Sequence, residues 1–272
     1  MNPLKLAGKI MLGLAALGLW ASCEKAAPDP FGAGMVASYL ADGRVNGGRV
    51  VGATPAPDRL GHDQAAYSFN GRDNCITFTA VPLTQVDNWT LTAWLNPANL
   101  HQDAMAVCLG KDDGQTGDGF ALGFSAAHYD SPGDHLYGVL GGVAWLDSGY
   151  VFPAPNTWYQ VVMLRRDGTV WFYVNGSPAT NNADAGPGVP NGPGPVIQPT
   201  GGVPERYRNL VNSNPVNNIN MTRTPLEPTA FTLGSATGIR FFNGSINAVR
   251  IYNRALSDDE VQALYQYEKP QP

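Results

Sequence analysis

The chain has 272 residues, a formal net charge of −5 at pH 7 and only 14% charged side chains. It contains no block of lysine and arginine, which argues against nucleic acid as a partner. Glycine and proline are frequent, with 32 and 22 residues, and they divide the chain into short strand-like runs rather than long helices.

Residues 1–22 have the pattern of a secretory signal: two lysines, the apolar run "IMLGLAALGLW" and two small residues. The run is shorter than the roughly 20 residues of a membrane-spanning helix. The sequence "LWASC" resembles a bacterial lipobox, although Trp20 stands where such boxes usually carry Leu, Val or Ile. We therefore expect an exported lipoprotein of the cell envelope, at the outer membrane or cell surface. Its membrane anchor would be the lipid on Cys23. A cleaved signal with a chance cysteine is the alternative.

Residues 23–30 read as a tether, and 31–268 as one domain. The run "NWTLTAWLNP" alternates as a strand does, with one face formed by Trp89, Leu91, Ala93 and Leu95 and the other by Thr90, Thr92 and Trp94. Further on, Trp158–Arg165 and Thr169–Asn175 flank Asp167 and Gly168, a pair suited to a tight hairpin turn. Many short strands separated by turns predict an all-β sandwich.

Residues 177–230 interrupt this pattern. They hold no convincing strand, and the segment "AGPGVPNGPGPVIQPTGGVP" is about half glycine and proline. Insertions this long in a domain are usually either functional or without fixed structure. Both readings, a binding loop and an unstructured insertion, stay open.

The C-terminal stretch "FNGSINAVRIYNRALSDDEVQALY" predicts a strand that leads into a short helix. Simple alternation places Asn247, Val249 and Ile251 on one face of this strand, opposite Ile246, Ala248, Arg250 and Tyr252. The helix carries a capping box, Ser257 with Glu260, and a hydrophobic staple, Leu256 with Val261. Val261, Leu264 and Tyr265 form an apolar stripe, so the helix should seal one edge or end of the sandwich.

Four stretches resemble laminin-G-like, concanavalin A-like jelly-roll domains of bacterial surface proteins. They are, in chain order, "GATPAPDRLGHDQAAYSFNGRDNCITF", "WTLTAWLNP", "TWYQVVMLRRDGTVWFYVNG" and "FFNGSINAVRIYNRALSDDEVQALY". The resemblance implies an antiparallel two-sheet jelly-roll β-sandwich, one sheet concave, with a short C-terminal α-helix. It does not fix a function, because the same fold carries lectins, adhesion modules, glycosidases and spacers.

The resemblance also raises the question of a structural calcium ion. Family members often hold one between an early loop and an aspartate of the last strand. Here the matching residues are Asp42 and Asn247, and the early loop is shortened to "ADGRVNGG". Because Ca²⁺ prefers six to eight oxygen ligands, several of them charged, this pair is a weak candidate metal site. The acidic loop "KDDGQTGDG" is another candidate calcium site, but it lacks EF-hand spacing, and a solvated turn is the favoured alternative.

A catalytic role finds little support in the residues. Glycosidases need two carboxylates, and their motif on this fold places two glutamates around an aspartate on one strand. The five glutamates lie in the tether, the insertion or the C-terminal helix: Glu24, Glu205, Glu227, Glu260 and Glu268. We therefore expect no enzyme activity, with a glycoside hydrolase as the less favoured alternative.

A binding role fits better, with carbohydrate the first choice of partner and another surface protein the second. Sugar sites use aromatic platforms beside polar groups. Such side chains cluster around "AAHYDSPGDHLYG", and the candidate ligand-binding residues are Trp145, Tyr137, His135, Tyr129, His128 and Asp130. The alternative is that these aromatics pack the sandwich.

Two cysteines follow Cys23, and both lie in strand-like runs. Cys75 and Cys108 could pair in an exported protein, or each could be a small buried apolar residue. The sequence leaves this choice open.

Overall fold

The architecture comes from a computed structural model, which describes residues 29–80, 83, 88–110, 119–125, 135–140, 144–167, 169–179 and 231–271. The chain divides into two units, Met1–Gly32 and Ala33–Pro272. In the first unit, the described residues form a turn in which the Gly32 N–H donates to the Asp29 carbonyl at 3.0 Å. Within the described ranges, no helix is long and apolar enough to cross a membrane.

The second unit is built from strands and a C-terminal helix. The strands of its described part are β1 (Met35–Tyr39), β2 (Arg49–Val51), β3 (Thr54–Ala56), β4 (Ala66–Asn70), β5 (Cys75–Phe78), β6 (Trp89–Pro97), β7 (Ala104–Gly110), β8 (Gly119–Ser125), β9 (His135–Leu140), β10 (Ala144–Val151), β11 (Tyr159–Arg166), β12 (Thr169–Val174), β13 (Ser177–Pro178), β14 (Phe231–Leu233) and β15 (Asn243–Tyr252). The helix is α1 (Asp258–Glu268).

These strands form two antiparallel sheets, so the predicted β-sandwich is confirmed. The first sheet has the order β13-β12-β11-β6-β15-β4-β3. Strand β15 is central in it, as predicted: one side pairs with β6, and the other pairs with β4 along its first half and β1 along its second. The second sheet has the order β10-β9-β8-β7-β14-β5-β2.

Apolar side chains from both sheets meet between them in one core. Trp89 of β6 stacks on Phe120 of β8 with ring centroids 4.0 Å apart, which joins the two layers directly. Leu91, Ala93 and Leu95 belong to the same core. The alternation predicted for β6 is therefore confirmed, because every second side chain of a strand points to the same face.

The predicted hairpin is also confirmed. Strands β11 and β12 pair from Val161 with Val174 to Arg166 with Thr169. Asp167, at the turn between them, has a φ of 50°, a left-handed conformation that aspartate tolerates better than most residues. Local turn chemistry thus fixes the register of this part of the first sheet.

The faces predicted for β15 are wrong in its first half. Ala248 has a φ of 47°, and the pairing with β6 shifts register between Asn247 and Arg250, which marks a bulge. A bulge adds one residue to a strand and so exchanges its faces beyond that point. Ile246 and Val249 consequently lie in the core, while Asn247 and Arg250 share the outer face.

The helix begins as the sequence predicts. The Ser257 side chain accepts from the Glu260 N–H at 3.2 Å, and the Glu260 carboxylate accepts from the Ser257 N–H at 2.8 Å, which completes the capping box. Val261 and Leu264 are fully buried, and Tyr265 stacks on Trp94 of β6 with ring centroids 5.9 Å apart. Because Trp94 is on the outer face of the first sheet, the helix covers that face rather than an edge or end.

The first residues that the sequence assigns to the insertion belong to a short strand. Ser177 and Pro178 form β13 and pair with Val174 and Tyr173 of β12. Residues 180–230 lie outside the described part of the chain.

Both cysteines of the domain are buried, and they do not form a disulfide with each other. Cys108 of β7 pairs in register with Thr232 of β14, and Thr232 pairs with Thr77 of β5, two residues from Cys75. Strand β14 therefore separates the two cysteine strands by two spacings of about 4.8 Å, which exceeds the reach of a disulfide. Burial also raises the pKa of the Cys75 thiol, which lowers its reactivity.

Candidate ligand-binding face

The candidate residues that the structure describes lie at one edge of the second sheet. Strand β10 forms this edge and pairs with β9, so that Trp145 lies opposite Val139, Asp147 opposite Tyr137, and Val151 opposite His135. Directly opposite residues of an antiparallel pair share a face of the sheet. Tyr137 and Val139 thus occupy one face, the one turned away from the sandwich core, and Trp145 holds the strand position opposite Val139.

This outer face of the second sheet carries an apolar cluster of its own. Tyr137 and Val139 belong to a second cluster of buried apolar residues, separate from the core, together with Met105, Cys108, Ala121 and Ala236. The side chains of His135 and Tyr137 are nearly inaccessible, with 3% and 5% of their surface exposed. The structure thus places both as buried members of the face and not as an open stacking platform.

The structure describes less of the other candidate residues. For Trp145 the strand position is described, but the side chain lies outside the described part. His128, Tyr129 and Asp130 belong to residues 126–134, between β8 and β9, and lie outside the described ranges. Cys23 also lies outside the described ranges. Whether these residues form one site therefore stays a prediction.

In the described part of the chain, no hydrogen bond or ion pair joins the two candidate metal ligands, Asp42 and Asn247. The Asp42 carboxylate pairs with Arg44 of the same loop, at 3.3 Å from Nε, and is 58% exposed. Asn247 is fully buried, and its side-chain amide bonds to Leu40, Ala65 and Arg59. Nor do the described residues contain a group of three or more His, Cys, Asp or Glu side chains placed to hold a metal ion.

A buried polar cluster lies beneath α1, and the sequence reasoning missed it. The Glu268 carboxylate, 3% exposed, accepts from Trp94 Nε1 at 2.7 Å, from Arg250 Nε at 2.7 Å and from Gln160 Nε2 at 3.1 Å. One signal was available: Glu268 follows Val261 and Leu264 at helical spacing and so falls on the buried stripe. A buried carboxylate this well supplied with donors ties the helix to three strands of the first sheet.

A second polar contact fastens the other end of the helix to the β11–β12 hairpin. The Tyr173 hydroxyl donates to Asp258 Oδ1 at 2.7 Å, and Arg166 Nη2 donates to the same oxygen at 2.8 Å. Burial, together with the hydrogen bond to Asp258, raises the pKa of Tyr173 to about 12. The hydrogen bonds from Tyr173 and Arg166 lower the pKa of Asp258.

We expect Tyr173 to keep its proton in the folded protein well above pH 10. The folded pKa is raised above the ordinary value of 10.0, so the stability that this proton contributes is complete below pH 10 and is lost as the pH rises toward 12. Absorbance at 295 nm should show a late phenol titration that Tyr173→Phe removes and Asp258→Asn moves to lower pH, besides those of Tyr39 and Tyr150, whose pKa values burial also raises. Late titrations identical in the wild type and both variants would contradict the assignment.

Comparisons with known proteins agree with this architecture. Residues 70–202 match a laminin-G family model whose family is described as the concanavalin A-like lectin/glucanases superfamily. The match confirms the resemblance found in the sequence. No curated protein matches the chain.

Several solved structures are similar in fold. Domain 4 of AbnA, a GH43 extracellular arabinanase from Geobacillus stearothermophilus, in complex with arabinotriose, is 18% identical, with a TM-score of 0.53; the match covers 85% of this chain and 98% of that domain. Trypanosoma rangeli sialidase in complex with sialic acid is 16% identical, with a TM-score of 0.52, and 88% and 34% of the chains are covered. The binding domain of botulinum neurotoxin DC in complex with rat synaptotagmin II is 12% identical, with a TM-score of 0.50 and coverages of 86% and 52%. The chain thus spans about a third of the sialidase and half of the toxin domain.

Proposed function

We propose that this chain, whose residues 70–202 match the concanavalin A-like lectin/glucanases superfamily, is a non-catalytic carbohydrate-binding protein of the cell envelope. The observation that carries the proposal is the likeness in fold to Domain 4 of the arabinanase. That domain is matched over 98% of its length, and its structure was solved in complex with arabinotriose. A domain of this fold therefore has a precedent as a sugar-binding part of a larger enzyme.

The outer face of the second sheet at β9 and β10 is the proposed site. It is the face that the first sheet does not cover, and its register places Trp145 and Asp147 beside Val139 and Tyr137. An aromatic ring offers a flat apolar surface to a sugar, and a carboxylate accepts its hydroxyl hydrogens. The segment 126–134, which joins β8 to β9, is the proposed rim, because it contains His128, Tyr129 and Asp130.

The absence of catalysis is part of the proposal. Of the five glutamates, the structure describes Glu260 and Glu268, and both already have structural partners. Glu260 closes the capping box and pairs with Arg254 at 2.8 Å, and Glu268 is buried under the helix. Neither can serve as the acid or nucleophile of a glycosidase pair facing a sugar on the second sheet.

The proposed location follows from the N-terminal motif. Lipidation of Cys23 after removal of residues 1–22 would leave the domain on a short tether at the outer membrane or cell surface. Metabolic labelling with a radioactive fatty acid, compared between the native chain and Cys23→Ala, tests this directly. Label in the native chain that the variant loses supports an anchor, and an unlabelled native chain contradicts it.

We expect the purified protein to bind defined glycans on an array that includes arabino-oligosaccharides and sialylated glycans. Trp145→Ala should weaken the best interaction by roughly tenfold or more, because the ring supplies the stacking surface. The matched control is Trp171→Ala, since Trp171 is a half-buried residue of β12 in the other sheet. Equal losses in both variants would point to misfolding and not to a site.

Two other outcomes have distinct meanings. Binding that survives Trp145→Ala would keep the function and discard the proposed site. A folded protein that binds no glycan would favour the second candidate, protein adhesion. One observation supports that candidate: edge strand β2 exposes two apolar residues, with Val50 at 39% and Val51 at 37%, and an uncovered edge can pair with another chain.

A further inference from the structure

The buried residue Asn247 lies at a joint in the first sheet. Along one side of β15, strand β4 pairs as far as Ile246 and strand β1 pairs from Val249 onward. The bulge at Ala248 falls between them. The ends of two strands meet here: Leu40 directly follows β1, and Ala65 directly precedes β4.

The Asn247 side chain closes this joint with its amide nitrogen. Nδ2 donates to the Leu40 carbonyl at 2.6 Å and to the Ala65 carbonyl at 2.7 Å. The Leu40 carbonyl also accepts from the Ala248 N–H at 3.0 Å. Both hydrogens of the amide are therefore donated to main-chain oxygens, and this fixes the orientation of the amide.

Arg59, from the loop between β3 and β4, completes the arrangement. Its Nη1 donates to Oδ1 of Asn247, and its Nε donates to the main-chain carbonyl of Glu268 at 2.6 Å. Its guanidinium carbon lies 4.9 Å from the centre of the Trp94 ring. The guanidinium thus bonds the last strand to the final carbonyl of α1, where the helix dipole favours a positive charge.

The same place is where the family resemblance implies a calcium ion, and the residues do not fit one. A calcium ion takes six to eight oxygen ligands, usually with several negative charges among them. Here Asn247 Oδ1 and the carbonyls of Leu40, Ala65 and Glu268 all accept hydrogen bonds from the chain itself. The guanidinium already present at Asn247 would repel a divalent cation.

We infer that the Arg59 guanidinium and the Asn247 amide replace a divalent cation as the device that holds the β1 and β4 ends to the last strand and the C-terminal helix. The chain carries the positive charge and the hydrogen-bond donors within itself. This joint therefore needs no calcium ion for its stability.

The first test is the thermal midpoint of the purified wild-type protein in EDTA and in millimolar calcium. The expected result is the same Tm in both. A rise of more than a few degrees with calcium that Asn247→Leu abolishes would overturn the inference. This comparison needs no variant for its expected result and does not depend on glycan binding.

The second test removes the two donors in turn. Arg59→Met and Asn247→Leu should each lower Tm by about 3–10 °C, since each breaks hydrogen bonds that involve a charged group. The double variant should lose clearly less than the sum, because the two residues serve one network. Arg44→Met is the matched control: Arg44 makes an ion pair in the neighbouring loop but is 79% exposed, so its Tm should hardly change.

Arg59→Lys separates charge from packing. A lysine keeps the positive charge but lacks the two-pronged donor of arginine, so its Tm should lie between those of the wild type and Arg59→Met. An Arg59→Met protein as stable as the wild type would overturn the inference. So would Arg59→Lys and Arg59→Met variants of equal Tm, because packing alone would then explain the effect.

Discussion

Replacing Glu268 by alanine is expected to lower the free energy of unfolding by about 3–5 kcal/mol, the usual loss when one partner of a buried ion pair is removed. The carboxylate accepts from Trp94, Arg250 and Gln160, and the Arg250 side chain is only 8% exposed. Without Glu268 the guanidinium stays buried with its carboxylate partner gone, and two neutral donors lose their acceptor. Urea unfolding followed by tryptophan fluorescence measures the change.

Two further variants show whether the ion pair causes this loss. Gln262→Ala, on the exposed side of the same helix, should change stability by less than about 0.5 kcal/mol. In a double-mutant cycle, Arg250→Ala should cost much less once Glu268 is already alanine. Additive effects of Glu268→Ala and Arg250→Ala would contradict the account of this cluster.

Replacing Trp89 by alanine is expected to lower stability by a similar amount, about 3–5 kcal/mol, through a cavity in the core. The Trp89 side chain is fully buried and lies parallel to Phe120, with an angle of 5° between the ring planes. Its removal opens a void between the two sheets that the surrounding strands cannot fill. The urea midpoint should fall, and the dependence on urea should stay near the wild-type slope.

Trp89→Phe is the informative companion. Among the residues that the structure describes, the buried indole Nε1 of Trp89 has no hydrogen-bond partner, so phenylalanine keeps most of the packing and removes an unsatisfied donor. We expect a loss of only about 1–2 kcal/mol. Equal losses for Trp89→Phe and Trp89→Ala would contradict a cavity as the main cause.

The parts of the fold that the sequence predicted correctly depend on local physics. Alternation in β6, the Asp167 turn and the Ser257 capping box are each decided within a few residues, and each holds in the structure. Side-chain period, turn geometry and helix capping act over such distances whatever the rest of the chain does.

The parts that escaped prediction depend on contacts between distant residues. The bulge at Ala248 reverses the faces at the start of β15, and it occurs where Leu40 and Ala65 present their carbonyls. Strand β14 has only three residues, and its position between β5 and β7 depends on pairing with strands that are distant in sequence. A polar residue on an apolar stripe, such as Glu268, is recognisable as buried only when its partners are known.

The candidate site stays a prediction, although the strand positions of some of its residues are known. Its residues are close in sequence, and the β9–β10 pairing does place Trp145 and Tyr137 at one sheet edge. Burial of Tyr137 and His135 could not be read from the sequence, because it depends on what packs over the face of the second sheet. The role of each side chain in binding therefore stays a prediction.

The most direct test of the proposed function is isothermal titration calorimetry with the glycan that an array selects, followed by chromatography of the recovered sugar. We predict saturable binding with about one glycan for each chain, and recovery of that glycan at its original length. A correctly folded protein that binds no glycan, or one that returns shorter products, would contradict a non-catalytic carbohydrate-binding function.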